Sequence, residues 1–225
     1  PGVPLGSLGD ALLYTYPARE PGPVPTEATR SITETIRTWF DQAGILICRP
    51  APGSKSRMAV ALKGGHNAEH HNHNDLGSYV VLLGSEPVRL DPGGEVYTAR
   101  TFSSRRYESK LLNSFGHAVP VVGGKLQSTG SKASARILGT EFSDRSDTLR
   151  LDIRSAYDCP ALRKLERTFR FERTAEGELI VTDHVEFSEP QSFSTALITA
   201  GTFESAGPGE LIVSSKAEKL RVQID

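Results

Sequence analysis

From residue 44 onward the chain is built of short apolar runs rich in β-branched residues, and that rhythm constrains its fold more than any other feature. The runs are "ILICR", "RMAVAL", "SYVVLL", "PVRL", "VPVV", "SARIL", "TLRLDIR", "RKLERTFRF", "ELIVTDHVEF", "STALIT" and "ELIVSS", separated by Gly, Pro, Ser and Asp. Alternation with a period of two sends successive side chains to opposite faces of a strand. In "RKLERTFRFE" it is expected to turn Leu165, Phe169 and Phe171 inward and Arg167 and Arg170 outward. So many strands with a single helix exclude a βαβ plan and specify an all-β fold, an antiparallel β-sandwich with one N-terminal helix. The helix is expected over 26–40, where Thr26 offers a cap and Ile32, Ile36, Trp39 and Phe40 fall at helical intervals before Gly44. Residues 1–43 then read as linker and helix leading into a sandwich over 44–225. The chain opens on "PGVPLG" without Met and stops at "LRVQID" inside an apparent strand, so the sandwich is expected to be truncated at both ends relative to a longer parent.

A chain of 225 residues is long enough to bury a sizeable core. Its 26 basic and 27 acidic residues are interspersed, so no polyanion-binding patch shows in the charge pattern and nucleic acid is not an expected partner. No apolar run approaches the roughly 20 residues needed to cross a bilayer. Cys48 and Cys159 lie in separate apolar segments and read as free thiols, a single disulfide being the alternative.

Chemistry concentrates in "GGHNAEHHNHNDLGSY", residues 64–79, which holds His66, His70, His71 and His73 with Glu69 and Asp75. Neutral imidazole serves as a metal ligand or a proton carrier near neutral pH. An extended backbone would put His71, His73 and Asp75 on one face. A metal site needs further ligands from elsewhere, and the candidates are Asp91 in "RLDPGG", His117 in "SFGHAVPVV" and Glu69. If one straight strand ran from 71 to 83 and hairpinned through "GSEP", Asp91 would pair near Tyr79, roughly 20 Å from His73 along the strand. Asp75-Leu76-Gly77 favours a turn, so 66–76 is expected to fold back over the sheet, with the strand beginning near Ser78. His73 and Asp91 then meet. The bland readings are a solvated histidine loop, an Asp91 that merely opens a turn, and a His117 satisfied within the core. His66 and His70 read as bystanders and His184 as structural. "YTARTFSSRRYESKLLNSFG" breaks the strand rhythm and should form a long, partly helical excursion, with Tyr97 and Arg106 as candidate substrate contacts alongside Glu69.

Taken together, "GGHNAEHHNHNDLGSYVVLLGSEPVRLDPGGEVY" and "FGHAVPVVGGKLQ" resemble the C-terminal part of the heparinase II/III-like polysaccharide lyases, a family that includes alginate and oligoalginate lyases. The residues that carry the resemblance are His71, His73, Asp75, Gly77, Ser78 and Tyr79, then Asp91 with Gly93, then His117 with Gln127. The chain departs from the family pattern after His117, where it reads "HAVPVV". The resemblance covers about residues 40–130 and implies a supersandwich-like domain with a structural zinc held by His73, Asp91 and His117. It also implies a catalytic role for His71, which would face the substrate cleft, and periplasmic or extracellular action on an acidic, uronate-containing polysaccharide. The family reaction is β-elimination: the proton at C5 is removed, the developing enolate is neutralised, and the C4 oxygen leaves. In the family, a tyrosine and an Asn/His pair come from an N-terminal α/α-toroid that this chain does not contain, so the chain alone is expected to be inactive. Two other classes stay open: a non-catalytic glycan- or protein-binding module with a structural metal, and a cupin-type metalloenzyme, since cupins also present His-x-His on strands.

Overall fold

The computed structural model describes residues 35–89 and 91–225, and in that stretch nearly all regular structure is antiparallel β. One five-stranded sheet is assembled from β1 (Arg37–Phe40), β2 (Ile45–Cys48), β3 (Met58–Lys63), β5 (Tyr79–Leu83) and β6 (Glu86–Arg89), in that order. The second five-stranded sheet has the order β11 (Glu178–Phe187), β10 (Leu162–Glu172), β9 (Ser146–Asp152), β8 (Gly130–Phe142), β4 (Gly65–Asn67). A short pair joins β7 (Pro120–Val122) to β12 (Phe193–Thr195), and β13 (Thr202–Gly207), β14 (Glu210–Ser215) and β15 (Glu218–Gln223) form a meander.

Alternation explains the core. Met58, Val60 and Leu62 of β3 are buried in turn, as are Leu46 and Cys48 of β2. They join Leu149, Leu151, Leu165, Phe169 and Phe171 from the other sheet in one cluster, the arrangement of a sandwich. Tyr79 of β5 meets Phe169 of β10 edge to face, with ring centroids 5.6 Å apart. Both cysteines are free, Cys48 buried and Cys159 half-buried. Burial pushes the Cys48 thiol well up, and the neighbouring Asp147 carboxylate adds to this, so it packs as a small apolar side chain.

Two sequence expectations fail here. The helix expected over 26–40 is not formed in its described part: Arg37–Phe40 is a strand pairing with Ile45–Cys48, closed by a tight turn in which the Gly44 amide donates to the Asp41 carbonyl and Gly44 takes a φ of +63°. Partner strands override a local apolar spacing that also suits a helix. Residues 26–34 lie outside the described residues. The second failure is Arg167. It shares the parity of Leu165, Phe169 and Phe171 and is buried with them, while Arg170 points outward as expected.

Candidate functional site

β4 takes in His66 and Asn67, both expected in the loop, and the chain then makes a loop before β5 begins at Tyr79, so the segment with His70, His71 and His73 is not a strand. The fold-back is fixed at its inner end. The Ser78 amide donates to the Asp75 carbonyl at 3.0 Å, the Gly77 amide donates to the Lys63 carbonyl at 2.9 Å, and Lys63 Nζ pairs with Asp75 at 2.6 Å. Gln127 adds a clip from across the sandwich: its Nε2 donates to the Leu76 carbonyl at 2.8 Å, and its Oε1 accepts from the Leu76 amide at 3.0 Å. Asn74 is buried beside it, its amide donating to the Leu112 carbonyl at 3.0 Å.

The outer end is different. His71 carries a φ of +57°, a left-handed conformation uncommon for a residue with a Cβ. That single backbone reversal breaks the alternation that an extended segment would have had, and the three side chains part. Asp75 turns to Lys63, His73 turns to His117 with ring centroids 5.2 Å apart, and His71 turns to Tyr97. The His71 and Tyr97 rings lie nearly parallel, 5.8 Å apart, and the Tyr97 hydroxyl is 3.2 Å from His71 Nδ1.

His73, Asp91 and His117 come together from three segments, each with a ligand atom within 4.8 Å of the others. Asp91 follows β6 and does two jobs. Its Oδ1 accepts from the Gly93 amide at 3.0 Å and so caps the Asp-Pro-Gly turn, while its Oδ2 accepts from His117 Nδ1 at 2.6 Å. His117 follows a 3-10 turn over Ser114–Gly116, is fully buried, and its Nε2 meets no hydrogen-bond partner. A satisfied core histidine would have both nitrogens engaged. Burial lowers the His73 pKa, with help from neighbouring His117. Burial pulls Asp91 upward, but the hydrogen bond and charge of His117 and the Gly93 amide outweigh it, so the carboxylate is held below its usual range. Neutral imidazole and ionised carboxylate are the forms that bind a metal. The donor set and the orphaned imidazole nitrogen fit a first-row divalent metal.

The excursion over 92–116 covers this loop with turns, not a helix, apart from short 3-10 turns at Arg106–Glu108 and Ser114–Gly116. Glu95 organises it, accepting from Ser109 Oγ at 2.6 Å and from Arg100 Nη2 at 2.6 and 2.7 Å. The Ser109 hydrogen bond, then Arg100, keeps its carboxyl below the usual range. Arg106 donates from Nε and Nη2 to the Asn72 carbonyl at 3.2 and 2.9 Å and from Nη1 to the Thr101 carbonyl at 3.0 Å. Its guanidinium is therefore occupied in holding the loop between His71 and His73. Glu69 lies against Gly65 and is not brought among the three clustered ligands. His66 and His70 are exposed, and His184 sits on the outer face of β11 beside Glu186. The exposed large apolar side chains Val96, Tyr97, Phe102, Leu111 and Phe115 all belong to this one excursion, and Tyr97 and Phe102 meet edge to face at 5.4 Å.

Sequence reasoning missed Arg167. Its Nη1 donates to the Gly77 carbonyl at 2.9 Å and to the Ala118 carbonyl at 3.1 Å, directly behind the ligand-bearing segments. Counting parity along β10 would have found it.

No family model and no curated protein matches the sequence. Solved structures do match. A heparan sulfate lyase mutant from Pedobacter heparinus superposes with a TM-score of 0.66 at 15% identity, over 84% of this chain and 29% of that one. A heparinase III superposes with a TM-score of 0.64 at 15% identity, over 80% of this chain and 27% of that one. The fold is the β-sandwich found in these lyases. The chain spans less than a third of the length of either. Among the described residues no helix is long and apolar enough to cross a membrane.

Proposed function

We propose that this chain is the metal-bearing β-sandwich of a polysaccharide lyase that cleaves uronic-acid polysaccharide by β-elimination. The observation that carries the reading is the parting of the two imidazoles: His73 turns inward to Asp91 and His117, and His71 turns outward to an exposed tyrosine. The names of the structural neighbours, a heparan sulfate lyase and a heparinase III, support this substrate class. His73, Asp91 and His117 would hold zinc, which would supply a fixed cross-link between three segments and no step of the elimination. His71 would meet the uronate. With the Tyr97 hydroxyl donating to Nδ1, the imidazole keeps its proton on Nε2 and offers it to the substrate carboxylate as charge develops at C5. Tyr97 supports and orients that ring, and its exposed face with Phe102 suits contact with a sugar. Arg106 would act on the loop more than on substrate, in keeping with its bonds to the Asn72 and Thr101 carbonyls, while Glu69 is kept as a substrate contact. The remaining acid–base groups would come from an N-terminal α/α-toroid of the same protein, so the chain alone would be inactive or nearly so. Such an enzyme works outside the cytoplasm, in the periplasm or beyond the cell.

The test is incubation of the chain with alginate and with heparan sulfate, reading the absorbance of unsaturated product, beside retention on the same polysaccharides immobilised. Retention without product is expected, and sustained turnover by this chain alone would contradict the division of the site between two domains. The exposed aromatic group at Tyr97, Phe102 and Phe115 also favours a second reading, a binding module with a structural metal. Fusion to a helical domain that restores no turnover would decide for it.

A further inference from the structure

Arg167 is a charged side chain in the middle of an apolar sheet face, 1% exposed, between Leu165 and Phe169. Burying a guanidinium–carboxylate pair is a poor route to stability, since well-packed apolar side chains of similar volume do as well or better. Its presence calls for a job that only a guanidinium does. Every N–H of the fork has an acceptor. Nε donates to Asp183 Oδ1 at 2.7 Å. Nη2 donates to Asp183 Oδ2 at 2.6 Å and to Thr195 Oγ1 at 3.4 Å, and Nη1 donates to the carbonyls of Gly77 and Ala118 at 2.9 and 3.1 Å. The last two acceptors lie on different segments. Gly77 closes the loop that carries His73, and Ala118 follows His117 in sequence.

One nitrogen atom thus ties together the two backbones that carry the two histidines of the cluster. We infer that Arg167 is a positioning residue for the metal, setting the separation of His73 from His117 by clamping Gly77 and Ala118, with Asp183 anchoring the clamp to β11. The inference rests on the proposed metal reading. Gly77 takes a φ of +78°, and a Cβ there would stand 3.4 Å from Arg167 Cδ and 3.3 Å from Ile153, so backbone and guanidinium are in close approach. Lysine carries one ammonium and cannot span both carbonyls while also meeting Asp183 in a fork.

The experiment compares the whole chain with Arg167→Met, Arg167→Lys and Asp183→Asn, measuring zinc affinity by chelator competition and the visible spectrum of the cobalt(II)-substituted protein. In both Arg167 variants zinc affinity should fall about tenfold or more, with an altered cobalt spectrum, the usual size of an effect from a group that orients ligands. Asp183→Asn keeps both carbonyl contacts, so it should lower the melting temperature while holding zinc affinity within about threefold. That contrast separates positioning from a general loss of stability. Should Arg167→Met fail to fold, Arg167→Lys carries the test. Wild-type affinity and spectrum in a folded Arg167 variant would overturn the inference alone, as would an equal loss in Asp183→Asn. Absence of zinc binding by the unaltered chain would instead overturn the metal reading beneath it.

Discussion

The two ends of the histidine loop are built by different means. Its inner end, from Asn74 to Ser78, is buried and held from several directions by Gln127, Lys63 and Arg167. Its outer end, from Glu69 to Asn72, carries an exposed His71 in a left-handed conformation. It is held by Arg106 and the Tyr107 hydroxyl at Asn72, and the His71 side chain meets the Tyr97 ring and hydroxyl. A metal site must be stiff to be selective, whereas a group that meets substrate must face solvent. On the proposed reading, two imidazoles two positions apart would meet both demands because one backbone reversal lies at His71.

The contrast can be broken from the inside first. Phe169→Ala, beneath the inner end and in contact with Tyr79, should cost about 3–5 kcal/mol in urea unfolding. A loss under about 1 kcal/mol would mean that the two sheets do not share this core. Gln127→Ala strips partners from the Leu76 amide and carbonyl and from Asn67, so it should cost about 2–3 kcal/mol and weaken metal binding together with stability. Retained metal affinity would show that the inner end does not need its clip.

Acidification sharpens the comparison further. In metal-free protein the folded state lowers the pKa of His73, so the neutral ring is favoured by folding. Stability from this group is present above its unfolded value of about 6.5 and is lost as pH falls through the depressed folded value. Chelator-treated protein should therefore lose stability as the pH is lowered from about 7, and His73→Gln should flatten that slope. An unchanged slope in the variant would remove His73 from the explanation.

The outer end should respond weakly. At His71 the left-handed backbone suits glycine, so His71→Gly should be about 0.5–1 kcal/mol more stable than His71→Ala, and both should keep metal. Equal stabilities would mean that the reversal relaxes when the ring is gone. Phe102→Ala, at a side chain 70% exposed, should change stability by less than about 0.5 kcal/mol while reducing retention on acidic polysaccharide. A large loss of stability there would assign Phe102 to packing.

Much of this division was open to a reader of the sequence. Period-two runs gave the strands, and Asp75-Leu76-Gly77 required a turn that lets His73 reach Asp91. What stayed hidden depended on partners far along the chain. Trp39 and Phe40 fit helical spacing, yet β2 and a turn at Gly44 make them a strand. Arg167 looked like an outward-facing cation because charge was allowed to outweigh parity, and only Asp183, Gly77 and Ala118 show why it is buried. The three-residue strand at Gly65–Asn67 has too little pattern to be read, and it exists because β8 offers an edge. No sequence signal marked the reversal at His71, which the loop's anchors impose.

The most direct measurement is elemental analysis of the purified chain beside His73→Ala and Asp91→Ala. About one zinc per chain, lost from both variants together with thermal stability, is the expected result. No metal in the unaltered chain, or metal that survives loss of Asp91, would contradict a site closed by the folded-back loop.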